Sequence, residues 1–221
     1  MKKVFIVLAV VVLTMGYAQA QITFGARAGL NLSNFAQKND GKKPSGDFKG
    51  KYKPGFQIGV VGEYSINEAF AIQPGILFTT LGTRYKYSDS GYEGKETINL
   101  NYIQIPINAQ YKLDLSGMKL LLQAGPYFGY GIGGKYKWDD TEDGEKDKGD
   151  AKIKFGDGDD YDVYYVDNAL DFGLGLGAGL QFDNIQLGVG YNIGLANMSD
   201  ANKVSMKNHG LAITVTYLFG K

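Results

Sequence analysis

The 221-residue chain contains no cysteine, a single histidine and a single tryptophan. Without thiols there is no disulfide framework, no thiolate metal site and no thiol nucleophile. One imidazole cannot build a histidine cluster, and no metal or cofactor is expected. Charge of one sign is missing too, because 23 lysines and arginines balance 23 aspartates and glutamates. That balance leaves no electrostatic footprint for nucleic acid. After residue 20 no run is apolar enough for a membrane helix, which excludes a helical membrane protein. Mean hydropathy is -0.20, the value of an ordinary soluble chain. Against these shortages stand 32 glycines, 16 tyrosines and 12 phenylalanines. Glycine is about twice its average usage of roughly 7%.

The first twenty residues read as a secretory signal peptide. Lys2 and Lys3 precede an apolar run, Val4 to Leu13. That run is shorter than the roughly 20 residues of a membrane helix. Ala18-Gln19-Ala20 supplies small residues at a cleavage site before Gln21. The expected domain is therefore 21–221.

The rest alternates with period two. Leu170, Phe172, Leu174, Leu176, Ala178, Leu180 and Phe182 share one face, and Asp171, Gly173, Gly175, Gly177, Gly179 and Gln181 share the other. Runs beginning at Ile185 and Leu211 repeat the pattern. Five earlier segments, about 22–32, 55–66, 70–84, 98–113 and 120–134, behave alike. Only strands sort residues in this way. In the fourth segment the apolar phase slips between Tyr102 and Ile103, which predicts a β-bulge there. The count predicts eight strands.

The polar face carries Gly, Ala, Asn, Gln and Thr with few charges, whereas a solvated face would carry Lys and Glu. The other face is apolar and ends in aromatics. Phe24, Tyr64, Phe70, Tyr111, Phe182 and Phe219 form one girdle, and Phe56, Phe78, Phe128, Tyr130 and Phe172 the other. Connections alternate short and long. These signals predict an all-β fold: an eight-stranded antiparallel up-and-down transmembrane β-barrel, its apolar face in outer-membrane lipid. Inward glycines give larger polar neighbours room in a narrow interior. Short turns and both termini would be periplasmic. In hydrocarbon no strand edge can stay unpaired, so the first strand must meet the last.

Several stretches carry a family resemblance: Gly25-Ala26-Arg27-Ala28-Gly29-Leu30-Asn31, Gln73-Pro74-Gly75-Ile76-Leu77-Phe78, Leu100-Asn101-Tyr102-Ile103-Gln104-Ile105-Pro106-Ile107 and Gly125-Pro126-Tyr127. Across nearly all of 21–221 the chain resembles the PorT-like outer-membrane β-barrel domain family of Gram-negative bacteria. That family mostly shows an acidic residue where Gln104 stands. The resemblance implies a place in the outer membrane and, for one branch, a part in protein secretion. The terminal Tyr217-Leu218-Phe219 looks like the signal read by barrel-assembly machinery, although Gly220 and Lys221 follow it.

Parity turns Arg27, Glu63, Gln73, Gln104, Gln123, Asp171 and Gln181 into the lumen, where Arg27 and Glu63 could pair across adjacent strands. Such interior charges must be compensated. Gly129 and Gly134-Lys135 miss a phosphate loop, because Tyr136 replaces the metal-binding hydroxyl. His209 lacks a neighbouring serine and shares the outward parity of Leu211, so no enzyme activity is expected. Acids from Asp139 to Asp162 face lysines of the first loop, which suggests loop-to-loop attraction. Asp157 to Asp162 is oxygen-rich but lacks EF-hand spacing. Tyr161, Tyr164 and Tyr165 are candidates for a recognition surface. The expected molecule is a monomeric, non-enzymatic scaffold presenting loops for adhesion, envelope integrity or secretion, with a surface or secretion partner. The alternative is a narrow small-solute channel.

Overall fold

The computed structural model describes residues 22–44, 46, 49–89, 92–142 and 144–220. The expected signal peptide lies outside the described residues. The strands are β1 (Ile22–Asn39), β2 (Lys53–Ser65), β3 (Phe70–Asp89), β4 (Tyr92–Asp114), β5 (Lys119–Glu142), β6 (Glu145–Phe155), β7 (Val163–Val166), β8 (Leu170–Phe182), β9 (Ile185–Gly194) and β10 (Val204–Leu218).

The sequence predicts eight strands, and the described residues form ten. The pairings run β4-β3-β2-β1-β10-β9-β8-β5, and β4 pairs back onto β5, so these strands form a closed antiparallel ring. β1 meets β10 over its full upper length, from Gly25↔Leu218 to Asn39↔Val204. The extra strands lie in the segment read as one long loop. β6 continues the sheet from β5, and β7 pairs with β6 in parallel. Two further stretches read as loops are also strand, since β3 and β4 remain paired up to Asp89↔Tyr92. Polar alternation hid these extensions: their strands pair charges rather than apolar side chains.

The predicted bulge is displaced. The register shift falls at Asn101/Tyr102, where Asn101 faces Gly133 and Tyr102 faces Gly131. The additional residue is therefore Ile132 on β5, and Gly133 beside it takes the positive φ of 128° that side chains rarely adopt. β4 itself does not turn over. Ile98, Leu100, Tyr102 and Gln104 are all buried on one side. Its apolar phase changes because the interior changes from apolar to polar along the strand.

Burial is inside out. Glu63 and Gln73 are buried, whereas Leu30 is 67% exposed and Phe24 63%. A soluble monomer rarely leaves apolar patches beyond about a few hundred Å² uncovered. The two aromatic bands are present on the outside, with Phe70–Tyr111 and Tyr217–Phe219 ring contacts in one and Phe56–Phe78 in the other. Inward glycines make room as expected: a Cβ at Gly177 would stand 2.9 Å from Nε2 of Gln123.

Candidate functional site

The ring interior is layered. At the turn end, Nζ of Lys112 lies 2.6 Å from Oε1 of Glu63, both side chains almost wholly buried. Gln186 donates from Nε2 to the other Glu63 oxygen at 2.8 Å and to Oε1 of Gln181 at 3.1 Å. Gln73 donates to Gln186 at 3.0 Å and to Glu63 at 3.3 Å. The Arg27 guanidinium donates to Oε1 of Gln73 and, through Nε, to Oγ1 of Thr216 at 2.9 Å. Arg27 thus reaches Glu63 through Gln73, while the close ion pair of Glu63 is with Lys112. These residues come from β1, β2, β3, β4, β8, β9 and β10, so the network ties the ring together across its width.

Above this floor lies a cavity of about 60 Å³, lined in part by Arg27, Gln57, Gln104, Asn108, Gln123 and Asn192. At roughly 10–15 Å³ per water position, it has room for a few waters. Above the cavity, Asp171 accepts from Nδ2 of Asn208 at 3.0 Å, and the Tyr127 hydroxyl stands 3.5 Å from its carboxylate.

The loop end is closed by apolar packing. Phe35, Tyr85, Ile98, Leu100, Tyr102, Ile153, Val166 and Met198 form one buried cluster. Ile153 and Val166 come from β6 and β7, so the extra strands supply part of this roof. At its margin Tyr136 stacks on Tyr164 at 5.0 Å and on Trp138 at 5.9 Å. Burial and the adjacent Glu96 carboxylate push the Tyr87 hydroxyl up to about 12. Burial pushes Tyr85 to about 12 as well, against an opposing hydrogen bond from Gln37.

The seven lumen residues named from sequence all face inward, with Gln123 half-buried and the others buried. Lys112, Gln186, Thr216 and Asn208 were missed. Their parity was legible, since Gln186 alternates with Ile185 and Leu187, yet their partnerships cross the ring and have no sequence signature. The three loop tyrosines have different surroundings. Tyr161 is fully exposed, Tyr164 stacks on Tyr136, and the Tyr165 ring lies over Gly158. Tyr217 and Phe219 are exposed beside each other on the outer surface.

His209 points outward, its Nδ1 2.6 Å from the Tyr191 hydroxyl and its ring edge-on to Tyr52. Among the described residues no three His, Asp or Glu side chains gather to hold a metal ion. Among the described residues no ion pair joins the first loop to the third. Ion pairs of the third segment stay within the β5–β6 hairpin, Lys135–Asp150 at 2.8 Å and Lys148–Asp139 at 3.0 Å, and Asp40 of the first loop pairs with Lys203.

Comparison with curated proteins finds no match. Solved structures similar to the chain include Ail, the attachment invasion locus protein of Yersinia pestis, at 17% identity over 89% of this chain and 99% of that one, TM-score 0.35. Neisserial surface protein A is 16% identical over 89% of this chain and 95% of that one, TM-score 0.37. An outer membrane channel from Pseudomonas putida F1 is 14% identical over 90% of this chain and 96% of that one, TM-score 0.31. A sequence family described as the outer membrane protein beta-barrel domain matches residues 17–200. With most of its length matched, the chain belongs to the outer membrane protein beta-barrel domain family.

Proposed function

We propose that the closed ring is an eight-stranded transmembrane β-barrel of the PorT-like type that serves as a non-enzymatic, monomeric scaffold. It spans the outer membrane after loss of residues 1–20, with both termini and the short turns in the periplasm. Tyr217 and Phe219 meet the barrel-assembly machinery at the membrane edge. The projecting strands and loops are offered to a surface or secretion partner, in adhesion, envelope integrity or assistance to export. The observation that carries this reading is the blocked interior. A buried ion pair with its glutamines fills one end, an apolar cluster fills the other, and the cavity between them is about 60 Å³. A conducting pore needs a continuous polar path, and a scaffold gains rigidity from a filled lumen.

Planar-bilayer recording of the purified protein tests this. A silent membrane is expected. Steady unitary conductance that rises on Leu100→Ala would replace the scaffold with a narrow solute channel.

A further inference from the structure

Charge at the floor of the ring is unevenly matched. Glu63 holds Lys112 at 2.6 Å. Arg27 is also buried, at 7% exposure. Its side chain donates to Thr216 and to Gln73, both neutral acceptors. Among the described residues no carboxylate lies within ion-pair distance of it. The relay through Gln73 ends on Glu63, whose charge Lys112 already balances. Asp171 stands on the other side of the cavity, held by Asn208 and facing the Tyr127 hydroxyl. A guanidinium carries several N–H donors and stays protonated at neutral pH. Burying such a charge without a compensating anion is strongly unfavourable.

Arg27 also borders the cavity of about 60 Å³. Beside it the lining is neutral. It includes Gln57, Gln104, Asn108, Gln123 and Asn192, and among the described residues no Asp or Glu belongs to it. Gln57 and Gln104 are themselves buried, at 6% and 4% exposure. Amide side chains supply further N–H donors. The ladder row that starts at Arg27 passes Gly59 and Leu77 and reaches Gln104. Residues directly opposite each other in antiparallel strands share a face. Arg27 and Gln104 therefore look into one interior, with no charged side chain between them along that row.

We propose that this cavity binds one small monovalent anion, a halide such as chloride, on the Arg27 guanidinium. A halide only accepts hydrogen bonds, which suits a lining that brings a cation and amide donors together. Space for a few waters holds one halide with water beside it. Charge sets the valence: a divalent anion would turn the surplus positive charge into a surplus negative one. Size excludes large organic anions such as gluconate. The inference goes beyond the scaffold reading and needs only the filled interior on which that reading stands.

The test uses the refolded protein with bromide and chloride as probes. Crystals grown in bromide should show an anomalous peak in the cavity beside Arg27. Stability is then followed in urea, which adds no ions, with chloride or gluconate at equal ionic strength so that general screening is the same. At a chloride concentration about ten times its dissociation constant, the folded-to-unfolded ratio should be about tenfold higher than in gluconate. Gln104→Glu keeps Arg27 and supplies a carboxylate from the cavity wall. That variant should lose both the bromide peak and the preference for chloride. Arg27→Gln should lose them too, and if either variant fails to fold, the native crystal and the native comparison of anions decide. Water alone beside Arg27, equal native stability in the two anions, or a Gln104→Glu variant that responds to chloride like the native chain would overturn the proposal. Each of these results leaves the bilayer test of the scaffold untouched, so the two readings fail separately.

Discussion

At the floor of the ring, Glu63 and Lys112 meet at 2.6 Å among glutamines. At the roof, Leu100 and Met198, both without exposure, meet tyrosines and isoleucines. The surroundings account for the contrast. A side chain inside a lipid-embedded ring gains little by being apolar, because the lipid outside is equally apolar. Inside, polar groups hydrogen-bonded across the ring, such as Gln73 with Gln186, specify which strands face which. In the transmembrane arrangement proposed above, the roof stands above the lipid belt, where water drives apolar side chains together. The same strands thus use opposite chemistry at their two ends.

The largest expected effect comes from breaking the floor. Lys112→Met leaves the Glu63 carboxylate buried without its cation. Removing one partner of a buried pair costs about 3–5 kcal/mol. Denaturant unfolding in lipid vesicles should show that loss for the whole ring in one transition. The double variant Lys112→Met/Glu63→Gln should recover most of it, since the glutamines can still bond the neutral amide. Equal stability of the single and double variants would show that the charge is compensated elsewhere.

Leu100→Ala attacks the other end. A buried Leu→Ala change costs about 2–5 kcal/mol when the whole structure depends on it. Here the consequence should be local. β6 and β7 should loosen, and proteolysis within 156–162 should accelerate at least tenfold, the factor that corresponds to about 1.4 kcal/mol of local opening. The ring should keep its heat-modifiable mobility. If Leu100→Ala instead unfolds ring and roof together, the two ends are one cooperative unit and the comparison fails.

How far sequence reached differs between the same two regions. The ring was legible because lipid outside and polar packing inside impose strict alternation, as in Leu170 to Phe182. The lumen residues followed from that parity. Their partnerships did not: Gln73 with Gln186, 113 positions apart, is fixed only once the ring closes. The roof was less legible. Tyr85 and Tyr87 alternate with Lys86 and Ser88, which give the run the look of a loop, and Glu145 to Lys154 alternates in charge rather than hydropathy. The bulge is the sharpest instance. Ile98, Leu100 and Tyr102 against Ile103, Ile105 and Ile107 reads as a strand turning over. The chemistry of the interior changes instead, and the true irregularity is Ile132 on the partner strand.

A smaller effect should appear at high pH, at the roof. Tyr85 and Tyr87 are raised to about 12 in the folded protein. An unfolded tyrosine ionises near 10. The folded state therefore holds these protons more tightly. Their contribution is complete below about pH 10 and is lost as pH climbs toward about 12. Tyrosinate absorbance should show late-titrating groups in that window, with Trp138 fluorescence changing alongside them. Tyr85→Phe should remove part of the late titration. Phenols that all ionise near 10 would mean that water reaches the roof freely.

The smallest effect should come from salt. Loop attraction would make the roof an electrostatic cap, and at roughly 0.5 M salt, with a Debye length of about 4–5 Å, such a cap would weaken. The geometry points the other way. Acids of the β5–β6 hairpin are held by lysines of the same hairpin, as in Lys148–Asp139, and both partners are about half exposed. Exposed pairs of this kind contribute about 0–1 kcal/mol. Closure rests on the cluster around Leu100, and salt does not weaken apolar contact. Protease nicking of 156–162 should therefore change less than about twofold between low and high salt, while Leu100→Ala exposes the same segment at either. A strong salt response in the native protein would return the roof to charge attraction and remove the contrast with the floor, where Lys112 and Glu63 are buried too deeply for mobile ions to reach.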